Sequence, residues 1–128
     1  MKSLSELNHL SQYILESQDE WGGIPSEKDK ILDPWDHIEC CMALDVFGEK
    51  ERSLLGFQWL IDHQENDGSW YSEYQANKNI SSRKESNFCS YIAIGALHNL
   101  RELWRFKFLR KPASNSKKVS EVYSLSAN

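Results

Sequence analysis

Residues 13–24 read YILESQDEWGGI and residues 59–70 read WLIDHQENDGSW. Tyr13 and Trp59 stand 46 positions apart, and at that offset the two stretches run in parallel. Each has an aromatic residue, two aliphatics, an acid, one unmatched residue, an identical glutamine (Gln18, Gln64) and a second acid. Gly22 then matches Gly68, and Ile24 falls opposite Trp70. Self-similarity at a period of about 40–47 residues is the mark of stacked helical pairs, each too small to bury its apolar face alone.

Working outward from these turns, each repeat reads as outer helix, turn, inner helix. The first outer helix is expected over residues 3–18, with Leu4, Leu7, Leu10 and Ile14 at helical spacing. The second is expected over 50–64, with Leu54, Phe57, Leu60 and Ile61 on one stripe and polar residues opposite. Gly22-Gly23 and Asn66-Asp67-Gly68 stop them, because these residues tolerate the left-handed backbone that ends a helix. The inner helices, 34–47 and 87–100, are apolar nearly all round (Ile38, Cys40, Cys41, Met42, Leu44; Phe88, Ile92, Ile94, Leu97) and call for cover on more than one side. Asp33 before Pro34, with Asp36 in the first turn, marks an N-cap. Ser86 is the expected cap of the second inner helix, after a long polar loop over 71–85.

The stretch Gly56–Trp70, GFQWLIDHQENDGSW, resembles the QW motif of squalene-hopene cyclases and their relatives: a glycine, an aromatic-aliphatic pair, glutamine, then Gly-x-Trp. Tyr13–Ile24 resembles a degenerate copy, with Ile24 in the tryptophan's place, and the similarity in pattern runs over residues 4–100. The superfamily resembled is that of terpenoid cyclases and prenyltransferases, whose fold is an α/α toroid around an apolar cavity. The resemblance implies an all-α chain in which residues 1–104 form an arc of such a toroid, repeat 1 over about 3–47 and repeat 2 over about 50–104. Residues 105–128 would be a basic and polar helix extension or tail. No third copy of the motif follows, so the expected product is a partial member of the superfamily.

Composition narrows the partners. A formal net charge of −4 over 128 residues gives no general attraction to nucleic acid or to an anionic membrane. No apolar run approaches the roughly 20 residues of a membrane span, and the start of the chain, MKSLSELNHL, has no signal-peptide apolar stretch. A cytoplasmic location is expected. Three cysteines, two of them adjacent, do not suggest a disulfide framework.

The motif glutamines and tryptophans read as a structural clasp. A glutamine at a helix end can bond the carbonyls left over there, and a tryptophan just past the turn glycine can close the corner. Gln18, Gly22, Trp59, Gln64, Gly68 and Trp70 are assigned that role. Family cyclases protonate substrate with a D-x-D-D aspartate, and no such string occurs; the nearest is Asp33-Pro34-Trp35-Asp36-His37. Asp33, Asp36 and His37 are therefore the catalytic candidates, against a plain reading of the two acids as capping residues. His37 and Glu39 are read either as facing the mouth of the ring or as simply solvated. Trp35, Phe47, Phe88 and Tyr91 are the aromatics that could line a cavity, where ring faces stabilise cations, although aromatics at helical spacing are more often plain core. No metal or other cofactor is evident from the residues. Zinc or magnesium enters by resemblance alone, and the one geometric trio, Asp33, His37 and Cys41 at steps of four, lacks a clear fourth ligand.

Two functions follow as expectations. The first is a partial prenyltransferase- or cyclase-like protein, with an isoprenoid ligand, inactive alone and completed by self-association or by a partner chain. The second is a small all-α interaction module without catalytic activity. On the clasp reading, Gln64→Ala should cost roughly 1–3 kcal/mol in a denaturation experiment, the range for leaving a buried partner unpaired.

Overall fold

Pro34 sets the first turn of an inner helix, and the Oδ1 of Asp33 caps it by accepting the N–H of Trp35 at 2.7 Å. In the computed structural model, which describes residues 7–109 with side chains through 101, this helix is the hub of the fold. The elements are α1 (Asn8–Ser17), α2 (Pro34–Val46), α3 (Lys50–Asp62), β1 (Tyr74–Gln75), β2 (Lys78–Asn79) and α4 (Ser86–Leu109). The chain is thus mostly helical, as expected. α2 packs broadly on both α3 and α4 and only lightly on α1. The core is built from Ile24, Leu32, Ile38, Cys41, Leu44, Trp59, Leu60, Trp70, Tyr74, Phe88 and Ile92. Close approach is built into the sequence: a Cβ on Gly56 would collide with Cys41 Sγ, and one on Gly95 with Ile38.

Both turns of the repeat have the same hydrogen bonds. Gln18 Nε2 donates to Gly22 O at 3.0 Å and Gln64 Nε2 to Gly68 O at 3.0 Å. Asp19 N–H reaches Gly23 O, and Glu65 N–H reaches Ser69 O. Gly22 and Gly68 sit at φ of 97° and 83°, in the left-handed region that excludes most side chains. The clasp differs in one respect from its sequence reading. The glutamines close their own turns, and the leftover helix carbonyl of Leu60 is taken by Trp70 Nε1 at 2.8 Å.

The long loop before α4 is not without secondary structure. It carries a two-residue antiparallel ladder, Tyr74 opposite Asn79 and Gln75 opposite Lys78. Ala76 and Asn77, both at positive φ, make its turn. Tyr74 also exchanges backbone bonds with Leu32, at 2.8 and 2.9 Å, so the hairpin is sewn to the segment that leads into α2. Under it Trp59 stacks on His63 at 4.0 Å and donates to Asn77 Oδ1 at 2.9 Å. At the other end of α2 the buried Asp45 accepts two bonds from Asn99 of α4, at 3.1 and 2.9 Å.

The outer helices bury only part of the stripes expected of them: Leu60 is in the core and Ile14 and Phe57 pack against it, while Leu4 lies outside the described residues. In α1 the buried residues are Ser11 and Ser17, with their hydroxyls turned back to carbonyls of the same helix, while Leu10 is 47% exposed. In α3 the core side is Ser53, Gly56, Trp59 and Leu60, and Ile61 points outward. The inner helix α4 likewise leaves Ile94 and Leu97 bare. Small residues let the helices approach closely, which rotates the larger aliphatics away from the core. α4 continues to Leu109, so residues 105–109 are helical and not tail. The tail expected beyond, and residues 1–6, lie outside the described residues.

The two glutamines are not equivalent in burial. Gln18 is 8% exposed and its Nε2 also reaches Arg52 O of α3 at 3.0 Å, whereas Gln64 is exposed. Gln18→Ala is expected to cost about 1–3 kcal/mol and Gln64→Ala about 0.5 kcal/mol, because only the first strands a buried acceptor. Urea denaturation of the two variants side by side measures the difference; equal losses would contradict it.

Candidate functional site

The exposed side of α2 and the facing side of α4 bring together Trp35, Asp36, Glu39 and Tyr91. Trp35 and Glu39 are one helical turn apart, and the Trp35 Nε1–H donates to Glu39 Oε1 at 3.0 Å. The Tyr91 hydroxyl donates to the same oxygen at 2.8 Å. The shared carboxylate thereby holds the two rings stacked, with centroids 4.4 Å apart and planes 18° apart. The bond to Glu39 also raises the Tyr91 pKa. Asp36 stands beside them on the first turn of α2, and its pKa is raised by partial desolvation and by the charges of Asp33 and Glu39. An aromatic platform flanked by two acids, one of them holding its proton more tightly than usual, can grip a polar ligand through ring faces and exchange a proton with it.

Two open grooves are near α2, and the first of them reaches this site. One, of about 440 Å³, runs between α1 and α2 past Tyr13, Ile14, Cys40 and Ala43 and ends at Asp36 and Glu39. The other, of about 510 Å³, lies between the first turn and the β-hairpin, where Trp21 is 47% exposed beside Asp19 and Asn77. Asp19 Oδ1 accepts the N–H groups of Trp21 and Gly23, and burial raises the pKa of its carboxyl.

The expected site residues are distributed as follows. Asp33 is the cap of α2. Asp36, Trp35 and Tyr91 share the exposed face. Phe88 is 2% exposed and belongs to the core, because its place in the first turn of α4 points it inward. Phe47 ends α2 at the opposite pole from Trp35. His37 neither faces a mouth nor is solvated: it is fully buried. The Ile24 N–H donates to its Nδ1 at 3.1 Å, so the ring carries its proton on Nε2 and donates it to Gly56 O at 2.9 Å. Both nitrogens are thus committed to backbone groups, and burial pushes the pKa down to about 4. Cys41 Sγ is 3.6 Å from that Nε2, while Asp33 is occupied at the cap. Among the described residues no group of three His, Cys, Asp or Glu side chains is arranged to hold a metal ion, and no helix is long and apolar enough to cross a membrane.

Glu39 was legible as a surface acid but not as the hinge of the site. Its spacing from Trp35 was the available signal; its bond to Tyr91, 52 positions away, is tertiary. Asp19 and Trp21 gave no signal, since the turn that exposes one and partly buries the other is set by packing.

No family model matches the chain. Over 90 residues it is 36% identical to the MMP endo-(1,4)-3-O-methyl-alpha-D-mannosidase of Mycolicibacterium hassiacum. The similarity covers 70% of this chain and 25% of that protein, so the chain spans about a quarter of that relative's length.

The buried neutral His37 makes stability depend on pH. Its pKa falls from 6.5 unfolded to about 4 folded, so below about pH 6.5 the unfolded chain binds a proton that the folded chain refuses. The fold should weaken by up to roughly 1.4 kcal/mol for each pH unit between about 6 and 4. Denaturation midpoints across that range test this, with His37→Gln as control, which should flatten the slope; an unchanged slope would exclude the mechanism.

Proposed function

We propose that this chain is the glycan-contacting part of a helical glycoside-processing protein, with Trp35 and Tyr91 as a sugar platform and Asp36 and Glu39 as its acidic groups. The observation that carries the reading is the Trp35–Tyr91 stack pinned on Glu39 beside Asp36. Sugar rings have one face of C–H bonds and a rim of hydroxyls, so they suit an aromatic surface edged by acceptors. The relative's name specifies a (1,4)-linked, 3-O-methylated α-mannoside, and an O-methyl group adds apolar contact for such a surface.

Hydrolysis of a glycoside uses one carboxyl to protonate the departing oxygen and a second to act on the opposite face of the sugar. Asp36, with its raised pKa, is the proton donor in this reading. Glu39 holds the platform and accepts sugar hydroxyls. The arc of an α/α toroid remains the architecture we propose around this face, supported by the matching turns of the two repeats.

A second reading keeps the isoprenoid transfer or cyclisation that the QW-like repeats suggest. The bare apolar residues Ile94 and Leu97 of α4 favour it. Neither reading requires a metal at this face; zinc or magnesium stays a proposal of the isoprenoid reading alone.

Titrating the ¹⁵N-labelled chain with a (1,4)-linked 3-O-methylmannose oligosaccharide, and separately with farnesyl diphosphate, decides between them. The expected result is millimolar-range binding of the glycan, seen as shifts at the Trp35 indole N–H and at the backbone amides of Glu39 and Tyr91. Followed at those amides, the affinity should weaken about three- to tenfold in Trp35→Ala, which matches the roughly 0.5–1.5 kcal/mol of an aromatic contact. Asp36→Asn should keep binding. Shifts with farnesyl diphosphate and none with the glycan would overturn the first reading in favour of the second.

A further inference from the structure

We infer that this chain associates head to tail with further copies of itself, the open side of repeat 2 in one copy receiving repeat 1 of the next. The two turns of the repeat carry the argument, because they have the same internal geometry but different surroundings. At the first turn, repeat 2 is already docked. Gln18 Nε2 reaches past its own turn to Arg52 O of α3. The Arg52 guanidinium returns a bond to Leu15 O at 3.3 Å. Gly22 lies so close under the Leu55 carbonyl that a Cβ there would strike it.

The second turn is touched only by its own repeat, Cys89 Sγ at the Gly68 carbonyl and Lys84 at Asp67, with no following outer helix against it among the described residues. Gln64 is exposed, and among the described residues its amide finds no second carbonyl beyond Gly68 O. A Cβ on Gly68 would come no nearer than 3.9 Å to another group, and that group is Gln64 itself. Beside this turn α3 and α4 bound an apolar groove of about 250 Å³, with Phe57, Ile61, Ile92, Ala96 and Leu100 in its walls. Along α4 the bare row continues with Leu97 at 59% exposure and Ile94 at 58%. Repeat 2 thus presents a vacant copy of the surface that repeat 1 presents to it.

The matching half lies at the other end of the same chain. α1 leaves Leu10 and Tyr13 exposed, at 47% and 55%, and the groove between α1 and α2 is lined by Tyr13, Ile14, Cys40 and Ala43. Among the described residues repeat 1 is open on this side, which corresponds to the side by which repeat 2 meets repeat 1. Each copy therefore carries one donor and one acceptor face, which makes the contact heterologous and able to propagate or close into a ring. Asp36 and Glu39 border one end of the same α1–α2 groove, while the stacked rings of Trp35 and Tyr91 are not part of its lining. The association is argued from the apolar lining and does not rest on the glycan reading.

Complementary surface variants test this. Leu97→Glu disables the α4 face and Ala43→Glu the α1–α2 groove. By sedimentation velocity at 10–200 µM (order-of-magnitude concentrations for a weak interface), the wild-type chain should show concentration-dependent oligomers. Each variant alone should be monomeric, and an equimolar mixture of the two should form a 1:1 dimer and nothing larger, since each retains the face the other lacks. Circular dichroism checks that both variants fold; should Ala43→Glu unfold, Tyr13→Glu, on the exposed rim of the same groove, replaces it. A wild-type chain that is monomeric throughout overturns the inference. So does a dimer that survives the groove variant but is lost in Leu97→Glu, which would mean two α4 faces pairing with each other.

Discussion

The fold depends on one buried imidazole. His37 sits where the segment after the first turn, the inner helix α2 and the outer helix α3 meet, and it satisfies a backbone donor on one side, Ile24 N–H, and a backbone acceptor on the other, Gly56 O. A neutral histidine is suited to this place because it offers one donor and one acceptor on a rigid ring. Its neighbours follow from it. Gly56 must lack a side chain for Cys41 and His37 to come so close to α3, and Trp59 tilts against the ring at 5.0 Å. Trp59 in turn carries His63, Tyr74 and Asn77, and so anchors the hairpin. The two halves of the chain are locked together through this column, through the packing of α4 on α2 and through the bonds of Arg52 to Leu15 and Gln18 at the first turn.

That arrangement explains why α2 can be central and yet chemically available along one side. The side turned to α3 is closed by His37, Cys41 and Leu44, and the side turned to α4 by Ile38 and Asp45. What remains is the line that bears Asp36 and Glu39, both exposed. Glu39 then does for the surface what His37 does for the interior: one acceptor atom takes two donors from different helices and fixes their rings in a stack. Glycan handling and isoprenoid handling both ask for aromatic faces near acids, and the proposed glycan reading draws on the exposure of Asp36 and Glu39 to water.

The same packing leaves the molecule unevenly covered. Repeat 1 is roofed by repeat 2 at its turn, and repeat 2 is roofed by nothing among the described residues. Aliphatic side chains that the helical periodicity had assigned to a core, such as Leu10, Ile61 and Leu97, are therefore on the surface. In the proposed stacked-repeat architecture such side chains would be covered by a neighbouring unit, since helical-pair repeats bury a continuous core only when stacked.

The order of helices, the Asp33 cap of α2 and the two turns were legible in the sequence, because those features are local; Ser86, expected as the cap of the second inner helix, is the first residue of α4 itself. Asp33-Pro34 starts a helix wherever it stands, and a glutamine four residues before a glycine can close the same turn twice, at Gln18 and at Gln64. The sequence also singled out Trp35, Asp36 and Tyr91. It did not tell that Tyr91 and Trp35 stack through Glu39, that among the inner-helix aromatics Phe88 is the core one, that His37 is a buried staple, or that a short hairpin interrupts the loop before α4. Each of those is a matter of which helix faces which, and that was settled by serine and glycine on the contact faces, Ser11, Ser53, Gly56 and Gly95, where small volume permits close approach and so rotates every larger neighbour. Periodicity determines which residues share a side of a helix; only the packed tertiary structure decides which side is covered, because that depends on the distance two backbones can reach.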